Sequence, residues 1–157
     1  INFGNYPYVT SANTFPYSAC SLGFSPRKIR NIYGASKIYD TRVGVDPDFG
    51  DELLENDILS EIAKVGNEFG ATTGRTRKVN WLNLDKLIKS INISGCNIVI
   101  ISKEDVLELV GVFNVIYDYQ LINFDTLDKM KEYIKNVLII NCEDIDSIIF
   151  SNNPHSI

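Results

Sequence analysis

Cys96-Asn97-Ile98-Val99-Ile100-Ile101, followed at once by Ser102-Lys103-Glu104-Asp105, is the stretch that decides the fold. A short, continuously apolar run of this kind is what a central strand of an α/β sheet presents when both of its faces are buried. Open α/β sheets take their ligands outside the carboxyl ends of the strands. Lys103 and Asp105 stand at such an end and are well placed to meet one. The bland alternative is two solvated charges, the default for Lys-x-Asp after a strand.

Upstream of this strand, Asn83 caps a short helix with Leu84, Leu87, Ile88 and Ile91 on one face, ended by Ser94-Gly95. Before it lie Trp81, read as an anchor for the far end of a loop, and the loop itself at 70–78. Leu54, Ile58 and Ile62 recur at i, i+4 and i+8, which predicts an amphipathic helix over 51–65 that Gly66 ends. Its carboxylates Glu52, Glu55 and Asp57 read as a solvated face. Residues 40–47 read as a loop in which Arg42 either binds an anion or, as the plainer alternative, pairs with Asp40 or Asp46. Ser25-Pro26 supplies a cap and a first-turn proline, so a helix is expected from Pro26 toward Tyr39.

Downstream, a short helix is expected over 106–109 and a strand over 111–119. Asp125 can cap a helix carrying Leu127, Met130 and Ile134, and strands are expected over 136–141 and 145–150, before a turn at Ser151-Asn152-Asn153-Pro154-His155.

The chemistry concentrates in Gly70-Ala71-Thr72-Thr73-Gly74-Arg75-Thr76-Arg77-Lys78. Glycines let the backbone take positive φ and approach a ligand closely. Thr72 and Thr73 supply small hydroxyls, and Arg75 and Arg77 supply planar forks that match carboxylate or phosphate. In an extended segment the two arginines fall on one side. The pattern points to a loop gripping a small, doubly anionic ligand. Its plain alternative is a solvated basic turn.

The chain has 157 residues, 45% of them hydrophobic, enough to fill the core of one domain. A net charge of -5 argues against general binding to nucleic acid or membrane surfaces. Cys20, Cys96 and Cys142 are far apart, and an odd count without metal spacing fits a reducing cytosol. No apolar run approaches the ~20 residues that span a bilayer. The chain opens on Ile1 in a turn-rich segment, which reads as a piece of something longer. The only histidine is His155, so no Ser/His/Asp or Cys/His pair is available. No zinc spacing, Walker-type loop or Gly-x-Gly-x-x-Gly fingerprint occurs. The strong features are binding features, and no general base is evident.

Four blocks occur in order: Tyr6-Pro7-Tyr8-Val9-Thr10-Ser11-Ala12-Asn13-Thr14, Thr41-Arg42-Val43-Gly44, Gly66-Asn67-Glu68-Phe69-Gly70-Ala71-Thr72-Thr73-Gly74-Arg75 and Ser102-Lys103-Glu104-Asp105. Together they resemble the carboxyl-terminal part of the adenylosuccinate synthetase family, closely over the first two-thirds of the chain. The resemblance implies an α/β fold, residues 1–157 being the carboxyl-terminal part of one P-loop-like three-layer domain with a mixed or parallel central sheet and surrounding helices. It implies a ligase that joins L-aspartate to C6 of a purine nucleotide, with phosphoryl transfer from GTP, or from ATP or dATP, and Mg2+. It assigns Thr72, Thr73, Arg75 and Arg77 to aspartate, and Thr10, Val43 and Arg75 to the acceptor nucleotide. It assigns Lys103, Asp105, Asn153 and Pro154 to the base of the triphosphate. Catalytic residues and metal ligands are expected upstream of Ile1, with none in this chain. A cytoplasmic homodimer (in the host's cytoplasm if viral), with Arg42 near its interface, is implied as well.

The departures are Phe15-Pro16-Tyr17-Ser18-Ala19-Cys20-Ser21 in place of a Gly-rich segment, a short region between Tyr119 and Asp125, and an altered close at 151–156. Trimmed forms of this kind resemble the archaeal enzymes and a phage homologue that ligates aspartate to dGMP. The acceptor, IMP or dGMP, stays open. From another class, a non-catalytic nucleotide-binding module would keep the same motifs.

Overall fold

The computed structural model describes residues 23–43, 49, 57–70 and 74–153. A 3₁₀ turn, Pro26–Lys28, leads into β1 (Tyr33–Lys37) and β2 (Tyr39–Arg42). Then come α1 (Asp57–Val65), β3 (Lys78–Asn83), α2 (Leu84–Ser94), β4 (Ile98–Ser102) and α3 (Glu104–Val110). The chain continues through β5 (Phe113–Tyr117), β6 (Gln120–Phe124), α4 (Leu127–Asn141) and β7 (Ser147–Ser151).

The fold is α/β, and its strands divide between two sheets. One is parallel, in the order β1-β4-β7, with the apolar run 98–101 in its centre as the sequence predicts. The other is mixed, in the order β2-β3-β5-β6. A single residue, Ile38, separates the strand in one sheet from the strand in the other. Ile38 is fully buried, and its N–H donates to the carbonyl of Ser102 at 2.9 Å. The chain therefore crosses between sheets without a loop, beside the carboxyl end of the central parallel strand.

Several expectations are corrected. The helix over 26–39 is a 3₁₀ turn followed by β1. Ser25 does begin a turn, accepting from the Lys28 N–H at 3.0 Å. Gly34 disfavours continued helix, and the Asn97 side chain accepts the Ile32 N–H at 2.7 Å, aligning the chain for pairing with β4. Residues 40–42, read as loop, join Tyr39 in a strand because β3 offers an antiparallel partner, Tyr39 opposite Trp81 and Arg42 opposite Lys78. Trp81 lies within β3, almost fully buried, and anchors the core. An aromatic ring of that size contributes about 4 kcal/mol when removed from water.

Residues 136–141 belong to α4, not to a strand. Met130, Ile134, Val137 and Leu138 keep the 3.6-residue period to the end of the helix, while Ile139 and Ile140 point outward and made the run look strand-like. Its N-cap is Thr126, whose hydroxyl accepts from the Lys129 N–H at 3.3 Å, in place of the expected Asp125. Strand β6 was unexpected. It closes a hairpin over Asp118 and Tyr119, both at positive φ (51° and 60°), as a two-residue turn of matching twist requires.

Other expectations hold. Asn83 caps α2 by accepting from the Lys86 N–H at 3.0 Å, and Gly95 closes it at φ 63°. Met130 is fully buried, and Cys96 and Cys142 are buried free thiols. The described part of the 51–65 helix runs from Asp57 to Val65, burying Leu59, Ile62 and Ala63. Cys20, His155 and residues 51–56 lie outside the described residues.

Candidate functional site

The described residues on either side of 71–73 pair as a small ribbon. Phe69 and Thr76 form an antiparallel bridge, and the Arg77 N–H donates to the Glu68 carbonyl at 2.9 Å. Nearer the tip, the Gly70 N–H reaches the Arg75 carbonyl and the Gly74 N–H reaches the Gly70 carbonyl, both at 2.8 Å. Gly74 sits at φ 63°, the left-handed region in which a Cβ is strained. Arg75 is exposed, whereas Arg77 is half-buried at the root of the ribbon.

At that root lies a residue that sequence reasoning missed. Glu68 is almost completely buried and accepts from three side chains. Lys37 Nζ reaches both of its oxygens at 2.7 Å, Tyr39 Oη donates to Oε1 at 2.8 Å, and Arg77 Nη1 donates to Oε2 at 3.0 Å. Burial alone would raise the Glu68 carboxyl. The hydrogen bonds from Lys37, Tyr39 and Arg77 outweigh burial and hold it below the usual glutamate range. Tyr39 is pushed strongly upward by burial, by its bond to Glu68, and by the charges of Glu68 and Asp105. Its hydroxyl therefore stays a proton donor at any working pH. Lys37 and Tyr39 flank the sheet switch at Ile38, so the switch is what aims both at Glu68.

Two residues before Glu68, the Gly66 carbonyl accepts from Lys103 Nζ at 3.0 Å. Lys103 is held at φ 70° just before α3, a conformation uncommon for a side-chain-bearing residue. The segment 66–68 thus touches both sequence-predicted groups, Lys103 through Gly66 and Arg77 through Glu68. Asp105 is half-buried in the first turn of α3, near enough to Tyr39 to be felt electrostatically.

Parallel register brings in a further predicted residue. Lys37, Ser102 and Ser151 are aligned across β1, β4 and β7, so Lys103 and Asn153 leave the sheet at the same edge. Asn153 offers its carbonyl to Ser151 Oγ at 2.8 Å. Val43, exposed, directly follows Arg42, whose register partner Lys78 directly follows Arg77. Thr10, Thr72, Thr73 and Pro154 lie outside the described residues.

One feature of Arg77 bears on chemistry. Its Nε is buried and has no hydrogen-bond partner, although Nη1 is committed to Glu68. An unsatisfied buried donor costs about 1–3 kcal/mol, so this edge of the guanidinium favours an incoming acceptor. Among the described residues, Lys37 and Arg77 share the carboxylate of Glu68, with the charge of Asp105 close by. No group of three or more His, Cys, Asp or Glu among the described residues could hold a metal ion. No helix among them is long and apolar enough to cross a membrane.

Comparison with known proteins shows the family. The family model described as adenylosuccinate synthetase matches residues 1–143. The chain is 43% identical over 131 residues to an adenylosuccinate synthetase of Cytophaga hutchinsonii, covering 83% of this chain and 30% of that protein. It is 43% identical over 133 residues to the one of Thermodesulfovibrio yellowstonii, covering 84% and 31%, and 46% over 121 residues to the one of Yarrowia lipolytica, covering 76% and 28%. The chain thus spans about a third of the length of the curated relatives it matches. A solved structure, a fully ligated adenylosuccinate synthetase from Plasmodium falciparum, superposes with a TM-score of 0.73 at 22% identity, over 98% of this chain and 45% of that one. That likeness carries the fold.

Proposed function

Since the chain belongs to the adenylosuccinate synthetase family, we propose that it is the aspartate- and base-gripping part of a purine nucleotide ligase. In the reaction, a nucleoside triphosphate transfers its γ-phosphoryl group to the 6-oxygen of the acceptor purine. The aspartate amine then attacks C6, the C–O bond breaks, inorganic phosphate leaves with the former oxo oxygen, and the amine loses a proton.

Arg77 and Arg75, with Thr72 and Thr73, hold the aspartate carboxylates. The observation that carries this role is the buried, partnerless Nε of Arg77 at the root of the Gly70–Arg75 tip. Arg75 also serves the acceptor nucleotide, with Thr10 and Val43. Lys103, Asp105 and Asn153, at the carboxyl edge of the parallel sheet that strand ends favour for ligands, hold the base of the triphosphate, with Pro154 as a fourth contact. Binding and orientation are this chain's part of the work. Mg2+, when bound, would neutralise phosphate charge in such a reaction.

The acceptor is IMP and the donor GTP, as the shared name of the relatives at 43–46% identity supports. The protein works as a homodimer in the cytoplasm. The test is phosphate release by the protein that carries this chain, with aspartate, comparing IMP with dGMP and GTP with dATP. Turnover on IMP is expected, and turnover on dGMP alone would reassign the acceptor. Arg75→Glu should abolish aspartate-dependent turnover. Turnover that survives this change, or nucleotide binding with no phosphate release from any pair, would overturn the reading.

A further inference from the structure

Glu68 is the feature the proposed reaction leaves without a task. A buried carboxylate that meets two cations and a tyrosine hydroxyl is costly to assemble, since each group must be stripped of water. Such clusters are strongly destabilising when one member is removed, and they earn their place where a geometry must be fixed. Here the fixed geometry is that of one guanidinium.

The bonds around Glu68 do not fall at random on the fork of Arg77. Glu68 Oε2 takes Nη1 at 3.0 Å, and the Arg77 N–H is tied to the Glu68 carbonyl at 2.9 Å, so the residue is clamped at both backbone and side-chain ends by one partner. Nε, on another edge, is left buried and unpaired. Glu68 is itself clamped. Lys37 approaches both of its oxygens from the end of β1, and Tyr39 approaches Oε1 from the start of β2. Both come from the loop-free crossing at Ile38, whose N–H is tied to the Ser102 carbonyl. The guanidinium thus inherits the rigidity of two sheets while sitting at the base of a glycine-flanked tip.

From this arrangement we propose that Glu68 is a positioning residue for the amino-acid substrate, holding Arg77 through Nη1 so that its Nε edge is presented to an incoming carboxylate. The proposal rests on the reading that Arg77 binds aspartate. Lys37 and Tyr39 serve it indirectly by holding Glu68.

The test is steady-state kinetics of the protein that carries this chain, varying aspartate and each nucleotide separately. Glu68→Gln keeps the shape and removes the charge that orients Arg77. Its KM for aspartate should rise about ten- to a hundredfold, while the KM values for both nucleotides stay within about threefold of the parent. Tyr39→Phe removes a single bond to Glu68 and should raise the aspartate KM by a smaller factor, about three to ten, in the same selective way. This second variant carries the test if Glu68→Gln does not fold. An unchanged or lowered aspartate KM, or a rise shared equally with the nucleotides, would overturn the proposal and leave Glu68 as structural glue. Arg77→Lys separates the two failures. If it leaves the aspartate KM unchanged, the assignment of Arg77 is wrong. If it raises that KM and Glu68→Gln does not, only the role of Glu68 is wrong.

Discussion

Replacing Gly66 with alanine should be costly for a reason visible in one contact. Gly66 follows α1, and its N–H donates to the Ile62 carbonyl at 2.8 Å. Its φ is ordinary, so alanine meets no backbone strain. A Cβ added there would collide with Tyr39 Oη and lie 2.9 Å from the Ile62 carbonyl oxygen. Tyr39 has almost no exposed surface and cannot swing into solvent, so relief moves its hydroxyl away from Glu68. Forcing a methyl into a packed region costs about 1–3 kcal/mol, and losing a hydrogen bond to a charged group about 1.5–3 kcal/mol. These overlap, because moving Tyr39 relieves the crowding, and a net loss of about 2–4 kcal/mol is expected. For a chain of this length that lowers Tm by roughly 5–15 °C. Urea denaturation of Gly66→Ala, Tyr39→Phe and the double variant measures it through the denaturation midpoints. With the hydroxyl gone, the alanine should cost only about 1 kcal/mol, the residue of its contact with Ile62. An equal cost in both backgrounds would refute the assignment of the strain to Tyr39.

Two further outcomes follow from the same contacts. Burial pushes Asp40 up to about 6 despite the Asn83 N–H it accepts, so the folded state holds a proton there that the unfolded chain releases at lower pH. Stability from this group is full below about pH 4 and is lost as pH rises toward 6, a swing of at most about 3 kcal/mol that Asp40→Asn should flatten in urea melts across that window. Glu68, lowered by its partners, acts with the opposite sign and only below the usual glutamate range, so it leaves the Asp40 window readable. Tyr119→Gly should stabilise the chain by about 0.5–1 kcal/mol, because Tyr119 holds φ 60° while 98% exposed and gives up a strained backbone with no buried contact. A thermal melt showing destabilisation would contradict the hairpin assignment.

How much of this was legible in the sequence depends on the range of the contacts. The helix after Asn83 and the strand at 98–102 announce themselves locally, by a cap, a period and a continuous apolar run. Residues 33–42 do not, because what makes them strands lies elsewhere, in β4 and β3. Tyr33, Ile32 and Ile29 mimic a helical face, and nothing nearby reveals that Asn97 will claim the Ile32 N–H. At 136–141 the apolar run resembles a strand, whereas α4 continues through it and turns Ile139 and Ile140 to solvent. The site shows the same division. Arg77, Lys103 and Asp105 could be singled out by motif, whereas Glu68, inside the same block, drew no assignment from the sequence. Only the arrival of Lys37 and Tyr39, 31 and 29 residues away, makes it the hub.

The crossing at Ile38 carries a consequence for how this chain tolerates changes of length. Side chains alternate along a strand, so adding or removing one residue between Lys37 and Tyr39 would turn one of them to the opposite face. The Ile38–Ser102 bond leaves no slack to absorb such a shift. Insertions and deletions are tolerated where a loop can lengthen, as in the exposed turn between β5 and β6. Among relatives of this chain, the distance between the lysine and the tyrosine should therefore be kept even where the residues around them are exchanged. The chain counts residues at this point more strictly than it chooses them.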